Sequence, residues 1–328
     1  MKNTIAVTGA NGHLGNVVCR VLCEKGYHVK ALYHNSYDSL LNLPIEKIKG
    51  SVLDKNDLKR LIDGCKIVIN CAAIISIDGD PSGIVFKTNT IGPANVLEVS
   101  IEKGVQRIIH ISSVHAVIEE PYTEFFDEKR PYKSKFTPVY DFSKALGEQI
   151  LLQKSQGSQT EIVILRPSCI VGPFDFKPSE IGNALINFYH NKYPVLPEGG
   201  YDFVDVRDVA NSIVQAMNDG KNGEIYLVSG EYKKLTDLSK IVHQVTGRKT
   251  PKTVLSYQIL RMLIPVLKLF AFFTRSKPLL TLESIKALRF GHSRMDNSKA
   301  VQQIGHHCRP VEESIHNFYE WQISNKRI

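Results

Sequence analysis

The chain has 328 residues, enough to bury a large core and to form about two domains. Hydrophobic residues make up 43% of it and charged residues 23%, ordinary globular values that exclude a wholly disordered chain. The formal net charge of +8 suits an anionic cofactor or membrane surface, but the basic residues form no long run, so we expect no nucleic-acid partner.

The six cysteines stand singly in apolar or helical contexts, without the spacing of a zinc site. We therefore expect free thiols and no metal, as in a reducing cytoplasm. The amino terminus runs straight into an apolar stretch and lacks the pattern of a signal peptide. These features predict a cytoplasmic protein.

The first predicted elements are a strand, a turn, a helix and a second strand within residues 4–33. In the turn, Gly9 allows a sharp bend, Gly12 lets the backbone approach a phosphate, and Gly15 lets helix and strand pack closely. A pyrophosphate would meet the positive end of the helix there. A tight turn without a ligand is the alternative. The dinucleotide site that we predict includes the glycines and the intervening Asn11, His13 and Leu14.

Strands and helices then alternate as far as Pro167. This order predicts an α/β fold, a Rossmann-type doubly wound parallel sheet, with residues 1–167 as the dinucleotide-binding domain. The small residues Cys71-Ala72-Ala73 follow a buried strand and leave room for a ligand at the carboxyl edge of the sheet.

After Pro167 the alternation stops and prolines punctuate a looser region. We expect residues 203–230 to return to the sheet, beginning with the short strand Phe203-Val204. Residues 168–202 and 231–328 would then form a smaller, largely C-terminal substrate domain.

Tyr140 and Lys144 lie four residues apart on a predicted helix and therefore on one face. A tyrosine pKa of about 10 is too high for easy proton exchange at neutral pH. An ammonium about 4 Å away in a half-buried site would favour the phenolate by up to about 4 kcal/mol, or about three pKa units. Such a pair also arises by chance, so it is a weak signal alone.

Several motifs follow one another along the chain: Thr8–Gly15, Asn70–Ala73, Asn89, Ser112-Ser113, Tyr140–Lys144 and Arg166-Pro167. Their order and spacing resemble those of the extended short-chain dehydrogenase/reductases, and the resemblance covers nearly the whole chain. The resemblance implies that Ser113 orients the substrate oxygen and that Tyr140 is the acid/base. Lys144 would lower the tyrosine pKa and hold the nicotinamide ribose, and Asn89 would support Lys144 through water. A helix cap for Ser113 and a buried amide for Asn89 are the structural alternatives.

Departures from the motifs distinguish the branches of this superfamily. Nucleotide-sugar epimerases commonly carry an arginine where this chain has Tyr201, and a tyrosine cannot grip a diphosphate in the same way. Sugar dehydratases place Asp-Glu after the catalytic serine, where this chain has Val114-His115. His115 would be a substrate contact or an ordinary loop or core histidine.

The segments around Ser113, Arg166 and Gly172 instead resemble dihydroflavonol reductases and 3β-hydroxysteroid dehydrogenases. That branch implies an NADP(H)-dependent oxidoreductase interconverting a small hydrophobic ketone or aldehyde and its alcohol, steroid-, flavonoid- or terpenoid-like. The alternatives are a nucleotide-sugar epimerase or dehydratase and a non-catalytic NAD(P)-binding regulator. We expect a monomer or a homodimer.

The cofactor preference depends on the end of the second strand. NAD enzymes usually place a carboxylate there, which repels a 2′-phosphate; this chain has Tyr33 and His34, with Lys30 nearby. We therefore expect NADP(H), with NAD(H) as the alternative. Ser51 stands where the family's adenine-binding aspartate would be, which puts that contact in doubt. The resemblance adds these cofactor contacts: Ser51, Val52, Ala72, Ala73, Pro167, Tyr140 and Lys144.

Residues 255–275 are dense in large apolar residues, but Arg261, Lys268 and Arg275 interrupt them every seven positions. The uncharged runs are too short for the roughly 18–20 residues that span a bilayer. A helix here would lie in a membrane interface, cover an apolar substrate as a lid, or belong to the plain core. Pro265 would kink or restart it.

Overall fold

The structure of the protein, a computed structural model, describes residues 3–76, 79–273 and 291–328. The strands are β1 (Thr4–Thr8), β2 (His28–Tyr33), β3 (Glu46–Lys49), β4 (Ile67–Asn70), β5 (Arg107–Ile111), β6 (Glu161–Pro167), β7 (Cys169–Val171), β8 (Leu196–Pro197), β9 (Gly200–Asp205), β10 (Ile225–Val228), β11 (Glu231–Lys234) and β12 (Val254–Leu255). The α-helices are α1 (His13–Glu24), α2 (Lys55–Ile62), α3 (Ile84–Glu102), α4 (Val139–Lys154), α5 (Glu180–Tyr189), α6 (Val206–Asp219), α7 (Leu235–Thr246), α8 (Tyr257–Phe273), α9 (Ser298–Ile304) and α10 (Val311–Ser324).

Seven strands form one parallel sheet in the order β10-β6-β5-β4-β1-β2-β3. The chain runs outward from β1 to β3, then crosses to β4 and runs outward in the other direction. The strand order therefore reverses between β1 and β4, where open sheets of this kind bind ligands beyond their carboxyl ends. The predicted Rossmann-type doubly wound fold is confirmed.

Helices cover both faces of this sheet because its strands alternate between two apolar cores. On β1, Ile5 and Val7 pack into the core beneath α1 and α6. Ala6 between them packs into the core on the other face, which α2, α3 and α4 cover. This burial explains why the strand is apolar on both faces, as the sequence indicated.

A smaller part of the chain packs around the sheet β11-β9-β7. Here the expectation for Phe203-Val204 is wrong, because β9 pairs with β7 and β11 rather than with the main sheet. The rest of the segment does return, because α6 covers one face of the main sheet and β10 pairs with β6. Phe203 and Val204 are each 1% exposed, so β9 is as apolar and buried as a central strand and its sequence does not reveal which sheet it joins.

Helix α8 follows the short parallel pair of β8 and β12. It continues through Pro265, so the helix does not restart there, and the alternative of a kink stays a prediction. The end of the 255–275 segment, including Arg275, lies outside the described residues. None of the helices in the described ranges has the length and apolarity that crossing a membrane requires. All six cysteines are free, as predicted.

Candidate active site

The carboxyl ends of β1 and β4 bring the glycine turn against Cys71-Ala72. Gly9 has φ +64°, and a Cβ on it would lie 2.7 Å from the Ala72 nitrogen. The Ala72 N–H donates to Thr8 Oγ1 at 3.3 Å, which fixes this approach. A side chain at Gly15 would collide with the Gly9 carbonyl. The predicted tight turn and close helix packing are both present, and Ala73 is exposed just beyond them.

The start of α1 suits an anionic group. Its N-cap is Gly12, which supplies no side-chain cap, and the first turn carries no acidic residue. The N–H groups of His13 and Leu14 open a helix whose positive end faces the turn. These features fit the pyrophosphate of a dinucleotide, which Gly9, Gly12 and the helix start would hold.

Two asparagines fix the glycine turn. Asn11 Oδ1 accepts from the Ser39 hydroxyl at 2.7 Å, and Asn11 Nδ2 donates to Ser36 Oγ at 3.0 Å, which ties the turn to the loop after β2. Asn16, fully buried, donates from Nδ2 to the carbonyls of Gly12 and Phe174. No motif in the sequence marks Asn16 as part of the site. Its burial among carbonyls is a tertiary feature.

The end of β2 carries aromatic groups rather than a carboxylate. The Tyr33 ring lies 5.1 Å from the Tyr37 ring, and His34 is exposed beside it. Lys30 is engaged elsewhere, since its Nζ donates to the Asp63 carbonyl at 2.9 Å.

At the end of β3, Ser51 has an acidic neighbour that sequence spacing did not reveal. Asp57, from the first turn of α2, accepts from the Ser51 N–H at 2.9 Å. Hydrogen bonds from Arg60 and Ser51 hold the pKa of Asp57 below its usual value. Val52 is buried, and its carbonyl accepts from Asn95 at 3.1 Å. A carboxylate thus stands beside Ser51, supplied by a different element.

The structure brings Ser113, Tyr140 and Lys144 together between β5 and α4. Ser113 follows β5 and caps a short 3-10 turn, accepting from the His115 N–H at 3.1 Å. A hydrogen bond joins the Ser113 and Tyr140 hydroxyl groups. Lys144, 3% exposed, donates from Nζ to the Ile111 carbonyl at 2.7 Å. Pro167 ends the neighbouring strand β6 at the same edge.

The electrostatics of the pair differ from the prediction. Burial raises the pKa of Tyr140 to about 12, the hydrogen bond with Ser113 opposes this shift, and the Asp141 carboxylate adds to it. Burial also lowers the pKa of Lys144 to about 8. The expected lowering of the tyrosine pKa is therefore wrong in this structure. Lys144 is directed to a backbone carbonyl, and the cost of burying a phenolate dominates.

Asn89 is engaged with neighbours other than Lys144. Its amide exchanges two hydrogen bonds with the backbone of Ile74, at 2.9 and 3.0 Å, and donates to Ser143 Oγ at 3.0 Å. Both of its N–H groups are used in this way. Asn89 therefore fixes the segment after β4 against α4, the arrangement of a buried amide.

The sequence did not reveal a row of hydrogen-bonded, buried polar side chains near Lys144. Thr8 donates to Asn70 at 2.6 Å, and Asn70 Nδ2 lies 3.1 Å from His110 Nδ1. Burial, together with the charge of Lys144, lowers the pKa of His110 well below its usual value. This neutral histidine lies within an apolar strand, and a single histidine in such a strand is typical of an ordinary core residue.

On the substrate side, Tyr201 lies close enough to Cys169 and Asp141 for their charges to affect it. Burial and these charges raise its pKa. The segment after Gly172 packs on the cofactor side, since the Pro173 carbonyl lies 3.0 Å from His13 Nε2. Tyr201, on β9, packs against the hydrophobic core of the smaller part of the chain.

The fold and this site define a nucleotide-binding α/β enzyme of the extended short-chain dehydrogenase/reductase type. A model of the NAD dependent epimerase/dehydratase family matches residues 5–229, and the chain belongs to this family. The predicted superfamily and the prediction of an NAD(P)-dependent enzyme are confirmed. The roles of the individual site residues stay predictions.

Relatives match along nearly the whole chain. Sterol demethylase protein B of Methylococcus capsulatus is 31% identical over 311 residues, covering 92% of this chain and 93% of the relative. A putative dihydroflavonol 4-reductase of Synechocystis sp. is 30% identical over 331 residues, covering 98% and 95%. The crystal structure of gox2253 superposes with a TM-score of 0.86 at 29% identity, with both chains fully covered. The protein is therefore an NAD(P)-binding enzyme with a small-molecule substrate.

Proposed function

We propose that the protein is an NADP(H)-dependent oxidoreductase that interconverts a hydrophobic ketone or aldehyde and its alcohol. The observation that carries this proposal is the hydrogen-bonded pair of the Ser113 and Tyr140 hydroxyl groups, with the buried Lys144 one helical turn after Tyr140. Two hydroxyl groups in contact can bind one substrate oxygen and exchange a proton with it. A bound nicotinamide dinucleotide would supply the hydride for reduction or accept it in oxidation.

The charge states favour reduction at neutral pH. With its pKa raised to about 12, Tyr140 stays protonated there and is ready to donate to a carbonyl oxygen. Ser113 would donate a second hydrogen bond to the same oxygen and stabilise its developing charge. Lys144 would hold the ribose of the bound dinucleotide.

The substrate class is supported by Tyr201 and by the names of the relatives. Tyr201 stands where nucleotide-sugar epimerases commonly carry the arginine that binds a sugar diphosphate. One relative named above is a putative dihydroflavonol 4-reductase. A nucleotide-sugar epimerase is less well supported. Turnover of a UDP- or dTDP-sugar would revive it.

The preference for NADP(H) rests on Tyr33 and His34 at the end of β2. Neither carries the negative charge that would repel a 2′-phosphate, and the exposed His34 can donate to one. We expect NADPH to bind more tightly than NADH in a fluorescence titration of the full chain. Equal or tighter binding of NADH would contradict this preference.

The test of the reaction is loss of NADPH absorbance with a carbonyl panel that includes steroids. Tyr140→Phe should lower kcat by about 10²–10⁴-fold, because it removes the proton donor and leaves the ring. Tyr189→Phe is the matched control, since this tyrosine lies on α5 and its hydroxyl accepts from Arg248. Full turnover by Tyr140→Phe would refute the mechanism.

Helix α8 supports a finer proposal, that the enzyme lies on an anionic membrane surface. Leu260 and Ile264 are 2% and 6% exposed, whereas Ile259, Met262 and Leu263 on the other side are 43%, 71% and 40% exposed. Residues 238–273 contain six Lys and Arg and no Asp or Glu. An apolar face amid basic groups is the composition that binds anionic lipid.

Co-sedimentation with vesicles tests this contact. We expect the full chain to bind vesicles containing phosphatidylserine and not pure phosphatidylcholine, and to be released by salt. Met262→Glu should abolish binding, whereas Val301→Glu on α9, at 47% exposure, should not. Absence of lipid binding would refute the proposal. If Met262→Glu instead disrupts a dimer, the exposed face of α8 binds a second copy of the chain. If it changes the KM, α8 covers the substrate site as a lid.

A further inference from the structure

The segment that follows β7 connects the glycine turn to the last helix. Its Pro173 carbonyl lies 3.0 Å from His13 Nε2, and its Phe174 carbonyl accepts from Asn16 Nδ2 at 3.2 Å. His13 opens α1, whose start would hold the pyrophosphate. Residues 173–176, the bridging segment, therefore contact the part of α1 that faces the cofactor.

The other side of the bridging segment packs in a cluster of aromatic and guanidinium groups. The Trp321 ring, on α10, has its centroid 5.9 Å from that of Phe174 and 4.9 Å from that of Phe176. The Arg327 guanidinium, three residues beyond α10, lies 5.5 Å from the Phe176 centroid and 5.4 Å from the Trp321 centroid. It also donates to the Phe176 carbonyl. These groups hold the bridging segment from the side opposite to α1 in the chain order.

Arg20, on α1, joins the bridging segment to the turn a second time. Its guanidinium lies 4.6 Å from the Phe174 ring centroid, and its Nη2 donates to the Ser39 carbonyl at 3.1 Å. Ser39 Oγ in turn donates to Asn11 Oδ1 in the glycine turn at 2.7 Å. A guanidinium near an aromatic face is attracted by the negative charge of that face. The position of Phe174 is therefore linked to the turn through its ring as well as its carbonyl.

The backbone of Phe174 depends on these contacts. Its φ of +66° lies in the left-handed region, which is uncommon for a bulky side chain and persists only where the surrounding structure fixes it. In this conformation the carbonyl meets Asn16 while the ring meets Trp321. Weaker contacts on the α10 side would let Phe174 relax and move its carbonyl away from Asn16.

We propose that Arg327 is a positioning residue for the dinucleotide. It holds the bridging segment against the start of α1 and so keeps the glycine turn in its binding geometry, acting through Phe176, Phe174 and Asn16. The inference rests on the binding of a nicotinamide dinucleotide, and not on the proposed reaction or on the preference for NADP(H).

Fluorescence titration of the full chain with NADPH and with NADH tests this role. Arg327→Met keeps an apolar side chain and removes the guanidinium. The Kd should rise about fivefold, the size of one exposed cation–aromatic contact. The factor should be the same for both nucleotides, because they share the pyrophosphate. Arg327→Lys keeps the charge without the planar guanidinium and should restore part of the affinity.

Lys326→Met is the matched control, because it removes the same charge from the neighbouring exposed residue. It should leave both Kd values unchanged. An equal rise in this variant would show that net charge sets the affinity, and would overturn the inference. An unchanged Kd in Arg327→Met would also overturn it.

The route through the bridging segment is tested in an Asn16→Ala background. There Arg327→Met should raise the Kd by less than about twofold, because Asn16 no longer joins the segment to the turn. A full fivefold rise in this background would overturn the inference, as would failure of the wild type to bind either nucleotide. Binding of both nucleotides without carbonyl turnover would instead refute the proposed reaction and leave the role of Arg327 intact.

Discussion

Arg166 and Glu148 form a buried ion pair between β6 and α4. Arg166 Nε lies 3.0 and 3.2 Å from the two carboxylate oxygens and Nη2 lies 2.6 Å from Oε2, with the two side chains 1% and 0% exposed. Glu148 follows Lys144 by one helical turn. The pair therefore fixes the helix that carries Tyr140 and Lys144 to the sheet, and links the stability of the fold to the geometry of the site.

Glu148→Gln should lower the free energy of unfolding by about 3–5 kcal/mol, because it leaves a buried guanidinium without a counter-charge. Urea denaturation measures this change. Lys154→Met, on the same helix as Glu148, is the control: it breaks the exposed pair with Glu98 of α3 and should cost less than about 1 kcal/mol. Equal losses in the two variants would show that burial does not govern the pair.

Much of the site was predictable because strand ends and motif spacing fix it. Parallel strands end at one edge, so the glycine turn after β1 had to meet the small residues after β4, and Gly9 does lie against Ala72. Helical spacing likewise placed Tyr140 and Lys144 on one face. Such features can be predicted from the sequence because they depend only on the periodicity of the backbone.

The partners of buried polar groups were not predictable. Lys144 turns to the Ile111 carbonyl, and Glu148 pairs with Arg166, because α4 approaches β5 and β6 at these points. The burial that raises the pKa of Tyr140 is equally a property of the packed site. Sequence spacing carries no measure of desolvation, and so it gave the wrong direction for that pKa.

Asp202 should make stability depend on pH. Burial raises its pKa from 3.8 to about 6, although the Gly230 N–H donates to its Oδ1 at 2.7 Å. The protonated Asp202 therefore contributes fully to the stability of the fold below about pH 4, and this contribution is lost as the pH rises through about 6. Asp202→Asn mimics the protonated form. It should match the wild type near pH 4 and exceed it by on the order of 2 kcal/mol at neutral pH, measured by urea denaturation at each pH.

Asp205→Asn is the control of opposite sign for this pH dependence. Burial raises the pKa of Asp205, but the hydrogen bonds and charge of Arg207 hold it below its usual value. Its stabilisation is present above about pH 4 and lost as the pH falls further. Asp205→Asn should therefore destabilise the protein at neutral pH. A stabilising effect there, or no pH dependence for Asp202→Asn, would contradict the assignment.

Asn16→Ala should weaken cofactor binding from outside the glycine turn. It removes the amide that joins the Gly12 and Phe174 carbonyls, at 2.8 and 3.2 Å, and so frees the turn from the segment after β7. We expect the Kd for NADPH to rise about tenfold, and stability to fall by about 1–3 kcal/mol as carbonyls lose their donor. Asn222→Ala, which removes the acceptor of the Ile162 N–H, should cost similar stability and leave the Kd unchanged. A parallel loss of affinity in both variants would identify a general stability effect.

Lys144→Met should stabilise the fold while it abolishes turnover. Burial lowers the pKa of Lys144 from 10.5 to about 8, so the folded state resists its protonation. The cost in folding free energy of burying the charged Lys144 is therefore full below about pH 8 and decreases as the pH rises towards 10.5. Methionine keeps the chain length without the charge, and should raise the free energy of unfolding at pH 7 by on the order of 2 kcal/mol. Lys87→Met on α3, an exposed lysine, should change neither stability nor rate. Lower stability of Lys144→Met at pH 7 would show instead that the hydrogen bond to Ile111 outweighs the cost of burying the ammonium.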